Sequence, residues 1–169
     1  MKTALTHQNI TDSHFANAII LKDSLNQEKN RTIISLKKTY QHELTPFLKD
    51  SNAYGNIYFA RYFEWQGICR EMWFTECIYP NMFKMDGAFL TRAAHNQYEK
   101  EVLPFQKIRC NLNAQNVKRT SFDLIFKFYD QKNEVVSTGY QTVVYTDSLT
   151  KRIKKLPEEV LAKVKTYQA

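Results

Sequence analysis

Asn52, Gly55, Tyr62 and Arg70 are the residues whose types and spacing can do chemistry here. The first two stand in the polar run Asp50-Ser51-Asn52-Ala53-Tyr54-Gly55-Asn56, and the last two in the aromatic run that follows it. The Asn52 carboxamide can hold a water or a carbonyl group by hydrogen bonds, but it can be neither a general base nor a nucleophile. Amides around Gly55 and Asn56, at the start of a helix, would lack intrahelical partners and face the positive end of the helix dipole. A developing oxyanion is stabilised there. Arg70 can add positive charge to such an oxygen, and Tyr62, two turns earlier on the same face, can orient it. This chemistry is attack of water on a carbonyl, aided by electrostatics. Glu64 and Glu71 are the candidate bases; both lie off the Tyr62–Arg70 row. Each residue also has a plain structural use. Asn52 suits a turn or an N-cap, Arg70 suits an ion pair with Glu64, Glu71 or a neighbouring subunit, and Tyr58 and Tyr62 suit core packing. Cys69 has no His placed beside it by the pattern, so it does not read as a nucleophile. The four His show no metal-ligand spacing.

The elements that must hold these residues follow from periodicity. Ile57 to Phe74 contains no Pro and a single Gly, Gly67. Tyr58, Tyr62, Gln66 and Arg70 recur every fourth residue, with Phe59-Phe63-Gly67 and Trp65-Cys69-Met72-Trp73 in rows beside them. The spacing predicts a long helix, apolar over most of its circumference and therefore buried, with Gly67 where a strand backbone approaches closely. Thr39–Leu48 reads as a strand before it, with the stretch Thr32–Leu36 ahead of that. Gly87–Asn96, Phe105–Ala114, Ser121–Asp130 and Glu134–Thr146 read as strands after it, with turns at 116–120 and 131–133. A short helix is expected from Pro157 to Lys165. The order predicts an α+β domain, an antiparallel sheet wrapped around one long central helix.

Composition bounds the rest. The 169 residues suit one domain, here 32–169, preceded by a polar N-terminal extension, 1–31, with one apolar patch at Phe15–Leu21. That patch is too short and too weakly flanked by basic residues for a signal peptide, and no run is long enough to span a membrane. Three cysteines without a CxxC pair imply free thiols, those of Cys69 and Cys77 buried, and a reducing, cytoplasmic setting. The net charge of +7 and pI near 9.2 favour an anionic partner. Nucleic acid is not indicated, because the basic residues are dispersed and the aromatics lie on a helix expected to be buried. The Lys118-Arg119 turn and the Lys151–Lys155 run suit a phosphate or an acidic carrier protein, or simply a solvated surface.

On these residues the chain resembles a known family. The segment Asn52-x-x-Gly55-Asn56-x-Tyr58-x-x-x-Tyr62 is similar to the signature of the hot-dog thioesterases of the 4-hydroxybenzoyl-CoA thioesterase-like group, in which an Asp commonly stands where this chain has Asn52. The run Trp65-Gln66-Gly67-Ile68-Cys69-Arg70-Glu71-Met72, together with Asn at that position, looks most like the thioesterases of enediyne polyketide biosynthesis, and Gly139-Tyr140-Gln141-Thr142-Val143 is similar to their last strand. The resemblance spans roughly Thr39 to Thr146. It implies a hot-dog fold and a homotetramer of hot-dog dimers with active sites at subunit interfaces. It implies hydrolysis of an acyl or β-ketoacyl thioester on the phosphopantetheine of an acyl carrier protein, with decarboxylation able to follow. It implies Asn52, Gly55, Tyr62 and Arg70 as site residues, and no metal or redox cofactor. A general acyl-CoA thioesterase, a non-enzymatic hot-dog scaffold and a nucleic-acid or membrane-binding module are the competing expectations.

Overall fold

The computed structural model describes residues 37–169. The expected extension at 1–31, its Phe15–Leu21 patch and the Thr32–Leu36 stretch lie outside the described residues. The elements run in the expected order: β1 (Tyr40–Leu44), α1 (Arg61–Trp73), β2 (Gly87–Tyr98), β3 (Ile108–Gln115), β4 (Ser121–Tyr129), β5 (Val135–Asp147) and α2 (Glu158–Thr166). The strands form one antiparallel sheet in the order β1-β3-β4-β5-β2, so β2 is an edge strand. Helix α1 packs on one face of it. This is the hot-dog architecture, in the α+β class.

Alternation along the strands decides which face meets the helix. Phe122, Leu124, Phe126 and Phe128 of β4 point inward with Ile108, Cys110 and Leu112 of β3, all essentially fully buried. From α1 they meet Trp65, Cys69 and Trp73. The left-handed backbone of Asn133 (φ 61°) closes the β4–β5 turn. Such a conformation is more accessible to Asn than to most residues.

The structure corrects the helix in three respects. It begins at Arg61 rather than Ile57, and beyond Trp73 it widens into a π-turn over Phe74–Ile78. It buries one stripe (Tyr62, Trp65, Gln66, Cys69, Trp73), while Phe63 (36%), Ile68 (43%) and Met72 (37%) are exposed on the other side. The aromatic richness hid an ordinary one-sided helix. Gly67 is not a point of close approach, since a Cβ there would meet nothing within 4 Å. That position belongs to Gly139 of β5, where a Cβ would come 2.3 Å from Gln66 Nε2 and 2.5 Å from the His95 carbonyl oxygen.

All three cysteines are free, with Cys69 and Cys110 buried and Cys77 half-buried. Burial, with the adjacent Cys69 thiol, pushes the Cys110 thiol well up, so Cys110 is chemically quiet. The Lys118-Arg119 turn meets the chain just beyond the 151–155 run, where the Leu156 amide donates to the Arg119 carbonyl at 2.8 Å. Within that run Lys154 pairs with Asp86 at 2.9 Å.

Candidate active site

The loop before α1 is built by its own backbone. The Gly55 amide donates to the Asn52 carbonyl (3.0 Å) and the Asn52 amide to the Asn56 carbonyl (2.9 Å). Gly55 takes φ +83°, the left-handed value that such a turn assigns to glycine. The amides of Ile57 and Tyr58 are bonded to Val102 and Asp50, and those of Arg61, Tyr62 and Phe63 close the first helical turn. The expected role of the Gly55 amide as an oxyanion donor is therefore not seen: the helix starts six residues later, and this amide is committed to the turn. Among the described residues, no acceptor meets the amides of Ala53, Asn56, Phe59 or Ala60.

Asn52 forms an Asx-turn, with its Oδ1 accepting from the Tyr54 amide at 2.8 Å. Because that amide can only donate, the other end of the carboxamide must be the NH₂ group. Asn52 is half-buried and lines a cavity of about 530 Å³ with Tyr58, Phe59, Tyr62 and Tyr98. It thus offers that cavity a hydrogen-bond donor, where an Asp would offer an anionic acceptor. The volume falls in the range of ligand sites.

Tyr62 shares this cavity but is itself 3% exposed, packed on Trp65 (ring centroids 4.6 Å apart) and edge-on to Tyr98 (5.0 Å). Burial, then the neighbouring Tyr98 and Glu101, push its phenol up to about 12. It does not orient Arg70. The two are eight residues apart, about 12 Å along the helix axis. Gln66 occupies the turn between them.

Arg70 is held by the sheet. Its Nη1 donates to Thr91 Oγ1 of β2 (2.7 Å) and to Gln141 Oε1 of β5 (3.0 Å), and its Nη2 to Glu71 Oε1 (3.3 Å). A guanidinium has five N–H groups. Nε–H and one Nη2–H meet no acceptor among the described residues, and these can receive a carbonyl oxygen. A β-bulge between Thr91 and Ala93 sits beside the Thr91 contact, a common way of re-aiming a side chain. The adjoining cavity, lined by Trp73, Phe74, Phe89, Phe122 and Val143, is only about 20 Å³, room for about one water. The four predicted residues thus divide: Asn52, Gly55 and Tyr62 at one end of α1, Arg70 two turns on.

Of the candidate bases, Glu64 is occupied by Arg61 Nη1 at 2.6 and 2.7 Å. Glu71 is exposed beside Arg70. Among the described residues, no cluster of His, Cys, Asp or Glu could hold a metal ion, and no helix is long and apolar enough to cross a membrane. Sequence reasoning missed Gln141 and Thr91 as partners of Arg70, and Asn96 as a partner of Gln66. Gln141 had a signal, being a polar residue at an inward position between Gly139 and Val143.

Residues 39–164 match the model of the thioesterase-like superfamily. The chain belongs to that superfamily. It is a hot-dog thioesterase by family, and thioester hydrolysis is its reaction class. Solved structures agree in fold. The dynemicin thioesterase, whose crystal structures reveal induced-fit and allosteric effects upon polyene binding, has 21% identity and a TM-score of 0.72 over 78% of this chain and 99% of its own. A gentisyl-coenzyme A thioesterase has 18% identity and a TM-score of 0.68 over 74% and 99%. A 1,4-dihydroxy-2-naphthoyl-CoA thioesterase from Synechocystis has 14% identity and a TM-score of 0.68 over 75% and 96%. No curated protein matches this chain in sequence.

Proposed function

We propose that this thioesterase releases an acyl or β-ketoacyl chain of polyene or polyketide type from the phosphopantetheine of an acyl carrier protein. Water adds to the thioester carbonyl carbon, the C–S bond breaks, and the thiol leaves with a proton. A β-keto acid so formed can lose CO₂ to give a methyl ketone. The Asn52 NH₂ and the free N–H groups of Arg70 stabilise the carbonyl oxygen as it becomes an oxyanion. The observation that carries this reading is the donor at Asn52 in place of a carboxylate. It departs from the Asp-bearing CoA enzymes and agrees with the Asn of the enediyne thioesterases that the Trp65–Met72 run resembles. The dynemicin thioesterase, whose crystal structures reveal effects upon polyene binding, lends support to the polyene reading.

The site is completed in a homotetramer built from hot-dog dimers. Two observations favour this assembly. One chain keeps the Asn52 cavity apart from Arg70, and the outer edge of β2, twelve residues long, has no strand partner among the described residues. The second reading is a general acyl-CoA hydrolase, favoured by the CoA substrates in the names of two structural neighbours.

The test is thioester release, followed by mass spectrometry, from a β-ketoacyl carrier protein and the matching β-ketoacyl-CoA in parallel. Faster release from the carrier protein is expected. Equal or faster release from CoA assigns the protein to general acyl-CoA hydrolysis, and release from neither assigns it to the non-catalytic hot-dog scaffolds.

A further inference from the structure

Behind Arg70 runs a chain of uncharged polar groups buried between helix and sheet. Gln66 is fully buried, one turn before Arg70 on the same helix face, and Gln141 is 4% exposed. Gln66 Nε2 donates to the His95 carbonyl (3.0 Å) and to Asn96 Oδ1 (3.0 Å). Gln141 Nε2 donates to Gln66 Oε1 (3.3 Å), and Gln141 Oε1 accepts from Arg70 Nη1 (3.0 Å). Ser137 Oγ lies 3.0 Å from Asn96 Oδ1 and 2.9 Å from the Gln97 carbonyl, at the far end.

The direction of this chain is fixed by chemistry. A backbone carbonyl can only accept, so Gln66 must turn its NH₂ to His95 and its oxygen to Gln141. Gln141 must then turn its NH₂ to Gln66 and its oxygen to Arg70. Both carboxamide dipoles therefore point their negative ends toward the guanidinium, and dipoles aligned in low dielectric reinforce one another. Gly139 supplies the room, since a Cβ there would overlap Gln66 Nε2. Burying four carboxamide hydrogen-bonding ends is costly unless they are paired, and here each of the two glutamines is paired at both ends.

We infer that Gln141 and Gln66 are positioning residues for Arg70, a directional amide relay that fixes the guanidinium with its Nε–H edge free for the substrate oxygen. The inference rests on Arg70 serving the proposed thioester hydrolysis. A side chain with several rotatable bonds stabilises a transition state well only if it is already placed, and the relay removes that freedom before substrate arrives.

The test uses Gln141→Met, of similar length without the acceptor, and two readouts. One is kcat and KM for a β-ketoacyl-pantetheine thioester. The other is the ¹⁵N NMR spectrum of the Arg70 guanidinium, assigned with Arg70→Lys. In the wild type the two Nη signals should be separate, showing blocked rotation, and in Gln141→Met they should merge. The variant's kcat should fall about tenfold or more with KM within about twofold, the pattern of a group felt in the transition state. Merged Nη signals in the wild type would overturn the relay, whether or not the variant folds. Unchanged kcat in a folded variant would overturn it too. Absence of wild-type turnover would overturn the reaction reading instead, with the wild-type spectrum still deciding the relay.

Discussion

The two ends of α1 hold their functional groups in opposite ways. At the Asn52 end the turn itself is closed by bonds that span two to four residues, and Asn52 lines a cavity of about 530 Å³. At the Arg70 end the guanidinium is anchored by partners 21 and 71 residues away, beside a space of about 20 Å³. The first end is roomy and locally determined. The second is tight and determined by the whole sheet. A catalyst of carbonyl chemistry needs both: space for an acyl chain, and a charge that does not move when the oxyanion forms.

The sharpest way to break this contrast is Arg70→Ala. In the role proposed for Arg70, as a fixed oxyanion partner, its loss is expected to lower thioester hydrolysis by about 10²–10³-fold. The fold should persist, because the side chain lies at the rim of the core, and circular dichroism with steady-state kinetics checks both. Unchanged turnover would remove Arg70 from the mechanism. Next in size is Gly139→Ala. Its methyl group would overlap Gln66 Nε2 and the His95 carbonyl, so overpacking should cost about 1–3 kcal/mol in a urea melt. The same substitution at Gly67, which faces open space, should be neutral or slightly stabilising, by up to about 1 kcal/mol.

Asn52→Asp probes the open end with a smaller effect. The new carboxylate can still accept from the Tyr54 amide, so the loop should keep its shape, and hydrolysis should fall with the loss of the NH₂ donor while some activity survives. Loss of the fold would make Asn52 structural. The smallest effect concerns alkaline pH. Tyr62 ionises at about 12 when folded against 10.0 ordinarily, so its contribution to stability is complete below pH 10 and is lost as pH rises toward 12. Tyr40, Tyr98, Tyr145 and Tyr167 are shifted in the same direction, so Tyr62→Phe should reduce, not remove, the slope of urea midpoint against pH there, and an unchanged slope would contradict the burial of this phenol.

The same contrast explains what was legible in the sequence. Strand alternation in β4 and β5 gave their faces and nearly their limits, because a period of two survives any tertiary context. The Asn52-to-Gly55 turn was legible for a similar reason, since its bonds are local. The start of α1 was not. Tyr58 and Phe59 continue the helical spacing but serve the cavity wall, with the Phe59 carbonyl accepting from Tyr98 Oη at 3.0 Å. Gly67 and Gly139 are indistinguishable as letters, and only the strand register brings His95 opposite Tyr140, and so beside Gly139. The partners of Arg70 were hidden likewise. The inward position of Gln141 marks a buried polar group, but nothing local in it or in Thr91 names a partner 71 or 21 positions away.

The Arg70 cradle also has a kinetic consequence. The relay from Gln141 through Gln66 to Asn96 and the His95 carbonyl contains no group that gains or loses a proton in ordinary buffers. Among the described residues, Glu71, exposed at the rim, is the one carboxylate in contact with Arg70. An enzyme so arranged carries its electrostatic machinery unchanged from mildly acidic to mildly alkaline solution. Its rate should then climb with hydroxide rather than trace a bell, so that the shape of the profile reports the attacking water and not the protein.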